Sequence, residues 1–201
     1  MTRVPPLVQE EIDDPAITDA MTRQRAQLGL VPESLLTMAH RPPIAAAWAR
    51  LAGAVTGEGT VDRGLKQLVA YVASATHGCR YCQAHTAHRA EDLGVELEKI
   101  QSAFEFETAP LFSDAERDAL RLARDAALVP NEVTDEHFER LRRWFSDEQI
   151  VEIVAVVAMF GWLNRWNETM ATTLEDRPLR FATEALAPRT GWSAGKHRVG
   201  Y

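Results

Sequence analysis

Cysteine is scarce in this chain, two in 201 residues, and no apolar run is long enough to cross a bilayer. The longest, around residues 150–163, is interrupted by Glu152 and falls short of the roughly 20 residues that a spanning helix needs. Basic residues are outnumbered, 22 Lys and Arg against 29 Asp and Glu, for a formal net charge of -7. That balance excludes a broad nucleic-acid footprint, because phosphate binding needs clustered cations, and here the arginines are interleaved with acids. The opening Met1-Thr2-Arg3-Val4-Pro5-Pro6 carries no signal-peptide apolar core, so the expectation is a cytoplasmic protein with no membrane partner. There is no glycine-rich phosphate loop, dinucleotide fingerprint, serine nucleophile elbow or EF-hand pattern, and no bound cofactor is expected. Repeats with periods of about 20 to 50 residues and low-complexity tracts are missing too.

What remains is the composition of an ordinary folded protein, 46% hydrophobic and 25% charged. One domain is expected over residues 1–201, with a core at about 44–175, an N-terminal helical arm and an irregular C-terminal tail. Apolar residues recur with helical period and nowhere alternate in a sustained way, so the fold class is all-α. Punctuated by Pro and Gly, the pattern predicts helices at 15–28, 33–40, 44–55, 62–76, 79–93, 97–105, 114–127, 135–144 and 147–175. Several begin on capping residues: Ser113 or Asp114 before Glu116, Thr134 before Glu136 and His137, and Ser146 three residues before Gln149.

The two cysteines fall in Thr76-His77-Gly78-Cys79-Arg80-Tyr81-Cys82-Gln83-Ala84-His85-Thr86-Ala87-His88. One helix ends at Gly78 and the next starts about Cys79, so both sulfurs sit in a first helical turn. Unpaired N–H groups and the positive dipole end there favour an anion, which lowers a thiol pKa. Residues three apart on a helix have Cα atoms roughly 5 Å apart, inside the disulfide range of about 4.4 to 6.8 Å. Cys79 and Cys82 are therefore a candidate reversible dithiol. His85 shares the face of Cys82 and is placed to take or return a proton; otherwise it caps a neighbouring group or packs at a subunit contact. Cys79, Cys82, His85 and His88 superficially resemble a zinc set, but at about 1.5 Å rise per residue the outer two are roughly 13 Å apart, so no metal is expected. His77, His88 and Thr86 read as surface or packing residues. A polar cluster, Asn164, Arg165, Asn167 and Glu168, follows the long apolar run and reads as helix-end or interface hydrogen bonding, with substrate contact as the alternative. Trp144, Phe145, Phe160, Trp162 and Trp166 read as core or interface packing.

Residues 65–85, Leu65-Lys66-Gln67-Leu68-Val69-Ala70-Tyr71-Val72-Ala73-Ser74-Ala75-Thr76-His77-Gly78-Cys79-Arg80-Tyr81-Cys82-Gln83-Ala84-His85, resemble the core helix pair of alkylhydroperoxidase D-like proteins. The longer peroxidase-related or carboxymuconolactone decarboxylase-like branch is the most similar. Phe145-Ser146-Asp147-Glu148-Gln149-Ile150-Val151-Glu152 and Asn164-Arg165-Trp166-Asn167-Glu168-Thr169 extend the likeness over most of the chain. The resemblance implies an all-helical bundle that assembles as a homo-oligomer, a dimer, trimer or hexamer. It also implies that Cys82 attacks a peroxide and Cys79 resolves the sulfenic acid. Three positions depart from the family: Gln67 stands where a proton-relay Glu is found, Thr86 where a relay His is found, and Tyr81 between the cysteines where a His is common. An amide relays no proton, so Gln67 marks the relay as the weak part of the site.

The function implied is a thiol-dependent peroxidase or disulfide reductase acting on small organic hydroperoxides, re-reduced by an external thiol or dithiol. The alternatives are a decarboxylase or lactone-processing enzyme of the same family, against which the paired cysteines count, and a redox-sensing or structural helical oligomer without turnover.

Overall fold

A computed structural model describes residues 2–198; Met1 and residues 199–201, included in the expected domain, lie outside the described residues. Among the described residues the regular structure is helical throughout, as the periodicity predicts. Helix α1, Pro15–Leu28, starts on Asp14, whose carboxylate accepts the N–H groups of Ala16 and Ile17 at 2.9 and 3.2 Å, and ends at Gly29. Helix α2, Glu33–Met38, is followed by α3, Pro42–Thr56, which begins two residues before its expected start. The two prolines that look like a break there occupy a first turn, where a missing N–H costs nothing.

Helix α4, Arg63–Thr76, is capped by Asp62 and buried on all sides from Gly64 to Ser74. A helix without a polar face belongs in the middle of a bundle. Its neighbours are α3, α5 (Arg80–Asp92), α7 (Asp114–Ala126) and α9 (Asp147–Met170), with the short α6 (Leu97–Gln101) and α8 (Asp135–Leu141) between them. The capping boxes anticipated at Ser113 with Glu116, Thr134 with His137 and Ser146 with Gln149 are all formed. Lys66 on α4 is almost wholly buried; its ammonium meets Glu152 of α9 at 2.5 Å and the Gly57 carbonyl at 3.3 Å. Glu152 also accepts from the Thr60 backbone and hydroxyl, both at 2.7 Å, which fastens the loop ahead of α4 to α9.

Helix α9 stops at Met170, short of the expected 175, because Ala171 turns into the left-handed region at φ 51°. The chain then doubles back through Thr172–Glu175 to α10, Asp176–Phe181, a π-helical turn, Ala182–Leu186, and α11, Ala187–Thr190. The tail from Pro188, expected to be irregular, begins inside α11 and ends in a short 3-10 turn, Gly195–His197. Its end packs on the start of α5: Trp192, Ala194 and His197 are buried, and the Trp192 indole donates to the Arg80 carbonyl at 3.3 Å. No helix among the described residues is long and apolar enough to cross a membrane.

Candidate active site at the dithiol

The tight joint between α4 and α5 sets the two sulfurs. Gly78 takes φ 79°, a conformation that costs a glycine little, and lets the Cys79 N–H reach back to the Ser74 carbonyl at 3.0 Å. Cys79 is then the N-cap of α5. Its Sγ accepts the backbone N–H of Cys82 at 3.3 Å, a sulfur standing where Ser or Asp usually stands. Both thiols are reduced and buried, but only Cys82 lines the cleft beside them. The dipole argument predicts a lowered pKa for both sulfurs. At Cys79 it fails: burial first, then the hydrogen bond and charge of the Cys82 side chain, push the thiol well above its usual range. Asn167 of α9 donates its amide to Cys82 Sγ at 3.3 Å.

His85 follows one turn after Cys82 and lines the same cleft. Its Nε2 lies 2.6 Å from Glu175 Oε2, while Glu175 Oε1 accepts from the Tyr81 hydroxyl at 2.8 Å and the Glu33 backbone at 2.6 Å. Burial pushes the Glu175 carboxyl up, but the facing His85 charge and these hydrogen bonds outweigh it and hold the group below the usual carboxylate range. The Tyr81 ring lies against His85, centroids 4.5 Å apart. Burial and the Glu175 charge push its phenol well up, so it remains a donor. Sequence reasoning missed Glu175. It lies 90 positions from His85 and was read as the last residue of a long helix.

A second imidazole–carboxylate pair stands toward the tail. His197, fully buried, bonds Glu168 at 2.9 Å and the Thr172 carbonyl at 2.7 Å, and its ring centroid is 5.9 Å from that of Tyr81. Burial raises Glu168, and hydrogen bonds from His197 and Lys196 more than reverse this, to a pKa of about 2.

The other candidates separate cleanly. Gln67 lines the cleft and makes no side-chain hydrogen bond to either sulfur among the described residues. Thr86 is buried, lines the cleft, and its hydroxyl donates to the Cys82 carbonyl at 2.7 Å. His88 turns away, toward Phe181 and Asp92, so the four residues of the zinc-like series do not converge. His77 bonds the Ala127 carbonyl on the far side of the joint. Of the polar cluster on α9, Asn167 and Glu168 face the dithiol region, whereas Arg165 is exposed and folds back on the Gly161 carbonyl. Trp162 and Trp166 stack on each other.

The cleft above Cys82 has a volume of about 100 Å³. Apolar side chains of α3 and α9, chiefly Trp48, Phe160 and Leu163, form one wall, and Gln24, Gln27 and Leu28 of the N-terminal arm close another. The arm is thus part of the site. With Cys82 only 1% exposed, the opening suits a small molecule better than a protein side chain.

Comparison with known proteins places this geometry. The carboxymuconolactone decarboxylase family profile matches residues 42–125. The debrominase Bmp8 is 34% identical, with 92% of this chain aligned to 98% of that one at a TM-score of 0.84. This chain belongs to the alkylhydroperoxidase D and carboxymuconolactone decarboxylase family. A cysteine-to-alanine variant of the same debrominase has been solved in complex with 2,3,4-tribromopyrrole. An alkylhydroperoxidase core protein described as peroxidase-related, from Ralstonia eutropha JMP134, shares the fold at a TM-score of 0.78, with 24% identity over 88% of this chain and 94% of that one. YdfG of Bacillus subtilis strain 168, itself uncharacterized, is 27% identical over 56% of this chain and 75% of its own length.

Proposed function

We propose that the protein is a dithiol-dependent reductase of small organic hydroperoxides. The observation that carries this reading is the asymmetry of two reduced thiols on one helical turn. Cys82 faces a small cleft beside a His85–Glu175 pair, and Cys79 waits behind it, protonated and buried. In the reaction, His85 takes the Cys82 proton and the thiolate attacks the terminal peroxide oxygen. The S–O bond forms as the O–O bond breaks, and the departing alkoxide takes the proton from His85. The products are an alcohol and a sulfenic acid on Cys82. Cys79 sulfur then attacks Cys82 sulfur, its proton leaving with the hydroxyl as water. The result is a disulfide that an external thiol or dithiol reduces. Glu175 carries the charge that makes a transient imidazolium acceptable, and Asn167 donates to the sulfur on which charge gathers.

A second reading has its own support in the likeness to the debrominase, which extends over nearly the whole of both chains. The same groups suit reductive debromination of a small aromatic. Cys82 sulfur takes bromine from carbon, His85 protonates that carbon, and Cys79 displaces bromide to leave the same disulfide. Both reactions are two-electron reductions and differ in the electrophilic atom that Cys82 receives.

Steady-state turnover with a dithiol donor tests the proposal, using cumene hydroperoxide and 2,3,4-tribromopyrrole in parallel and reading alcohol and bromide. Expected are hydroperoxide consumption by the wild type, none by Cys82→Ser, and in Cys79→Ser, with the dithiol donor left out, a single turnover that stops at an oxidised Cys82 visible by mass spectrometry. Bromide release without hydroperoxide reduction overturns the peroxidase reading in favour of the second. Wild-type rates equal to the protein-free control on both substrates remove both.

A further inference from the structure

The lining of the cleft is unusual for so acidic a chain. The protein has a net charge of -7, yet no aspartate or glutamate lines the cleft above Cys82, whereas Arg63, Arg89 and His85 do. Arg63 is the first residue of α4, directly after the N-cap Asp62, whose carboxylate accepts the Leu65 N–H at 2.9 Å and makes no salt bridge to Arg63. Its Nε is buried without a hydrogen-bond partner, and Arg63 makes no salt bridge among the described residues. Trp48, 8% exposed, also lines the cleft, and its indole N–H likewise finds no acceptor. Arg89 is little better served. Its one carboxylate, Asp92, lies 3.7 Å away and is claimed more closely by Arg177 at 2.8 Å. Burial and then the Arg63 charge depress the Arg89 guanidinium, so the two cations feel each other across the cleft.

Guanidinium and indole groups donate and do not accept, and a buried donor left unpaired is costly. A site with two such unpaired donors, a second guanidinium and no carboxylate of its own is complementary to a ligand that only accepts. The planar fork of an arginine pairs bidentately with the planar oxygens of a carboxylate, the smaller of the oxyanions it matches. We propose that the substrate reduced at Cys82 carries a carboxylate, bound by Arg63 with Trp48 and Arg89 as further donors, while its apolar body lies against Phe160 and Leu163. This deepens the reductase reading by naming the substrate class: an organic acid bearing the electrophilic atom, with a small apolar or aromatic body. The electron-transfer steps at the sulfurs are unchanged.

Binding can be measured apart from turnover, using the whole reduced protein and calorimetric titration with 4-isopropylbenzoate and its neutral isostere 4-isopropylbenzamide. The wild type is expected to prefer the carboxylate by about tenfold or more, the size of a charge-assisted hydrogen bond. In Arg63→Gln the preference is expected to collapse toward one, and in Arg89→Gln to shrink. Equal affinities for acid and amide in the wild type, or an undiminished preference in both variants, overturn the proposal. The same preference read in Cys82→Ser, where no sulfur chemistry operates, separates the two claims. If the acid binds through Arg63 but no hydroperoxide or bromoarene is reduced, the carboxylate site stands and the reductase reading falls. If cumene hydroperoxide is reduced but the acid is not preferred, the reverse holds.

Discussion

An imidazole that takes a proton from a thiol and passes it to a leaving group carries a full charge in between, and a partly buried charge needs a fixed counter-ion. His85 has one in Glu175 at 2.6 Å, itself tied down by Tyr81 and the Glu33 backbone. The relay carboxylate that the family resemblance implies is missing at Gln67, but His85 finds a carboxylate, outside the cleft lining, from the other end of the chain. Glu175→Gln keeps an acceptor for Tyr81 and loses the charge, so hydroperoxide turnover is expected to fall about 10- to 100-fold, within the range of general acid–base help. The loss should fall on kcat and leave KM for the hydroperoxide nearly unchanged, a split that mere loosening of the site does not produce. Gln67→Glu, by contrast, is expected to add little, since the relay is already occupied. A large gain in that variant would show that Glu175 is not the working carboxylate. Steady-state rates of the two variants across pH decide between these outcomes. Cys79, Cys82 and His85 were legible because their relation is local, one helical turn fixed by spacing alone. Glu175, Arg63 and Trp48 were not, because tertiary folding alone brings Glu175 to His85 and the other two to the cleft.

At the scale of elements, the helix starts were readable and some of the ends were not. Starts carry side-chain signals: Asp14, Asp62, Ser113 and Ser146 each accept a backbone N–H where a cap is expected. The end of α9 carries none, because the left-handed residue is Ala171 and not a glycine. Without that stop, the run to 175 looked continuous, and the return that delivers Glu175 to His85 was hidden. Pro178 and Pro188 sit within the first three residues of α10 and α11, where proline is tolerated. Between elements, the Lys66–Glu152 pair joins α4, α9 and the loop at 57–61. Glu152→Gln leaves an ammonium that is 1% exposed without its partner, and is expected to cost about 3 kcal/mol. Replacing both residues, Lys66→Met with Glu152→Gln, should recover most of that loss. Urea unfolding of the three proteins, with equal slopes, measures both numbers. A double variant as unstable as the single one would mean that Glu152 acts through Thr60 and Val61 rather than through Lys66.

Taken as a whole, the molecule is held at several joints by carboxylates that stay ionised because cations and N–H groups surround them. Burial raises Glu152 and Glu168, but hydrogen bonds from Lys66 and Thr60 in one case and from His197 and Lys196 in the other bring both down to about 2 from the usual 4.5. Asp125, Glu116 and Glu175 are shifted the same way. Glu33 is the counterexample: burial and the neighbouring Glu175 charge raise it. For a group whose pKa is lower in the folded state than in the unfolded chain, the unfolded state binds protons first as pH falls. Its stabilisation is therefore complete above about pH 4.5 and drains away toward pH 2. Folding stability is accordingly expected to decline gently below about pH 6.5, where His88, whose pKa burial lowers, is protonated first in the unfolded chain, and to drop steeply below about 4.5, with the tail among the first parts to loosen, since Glu168 anchors it through Lys196 and His197. Trp192, buried against α5, gives that event its own signal in a background where Trp48, Trp144, Trp162 and Trp166 are replaced by Phe. Its fluorescence should shift at higher pH than the helical circular dichroism is lost, and Glu168→Gln should move the fluorescence transition to neutral pH while leaving the acid limb set by Glu152 in place. Coincident transitions in both proteins would show that the tail and the bundle unfold as one unit, with no separate role for the Glu168 anchor.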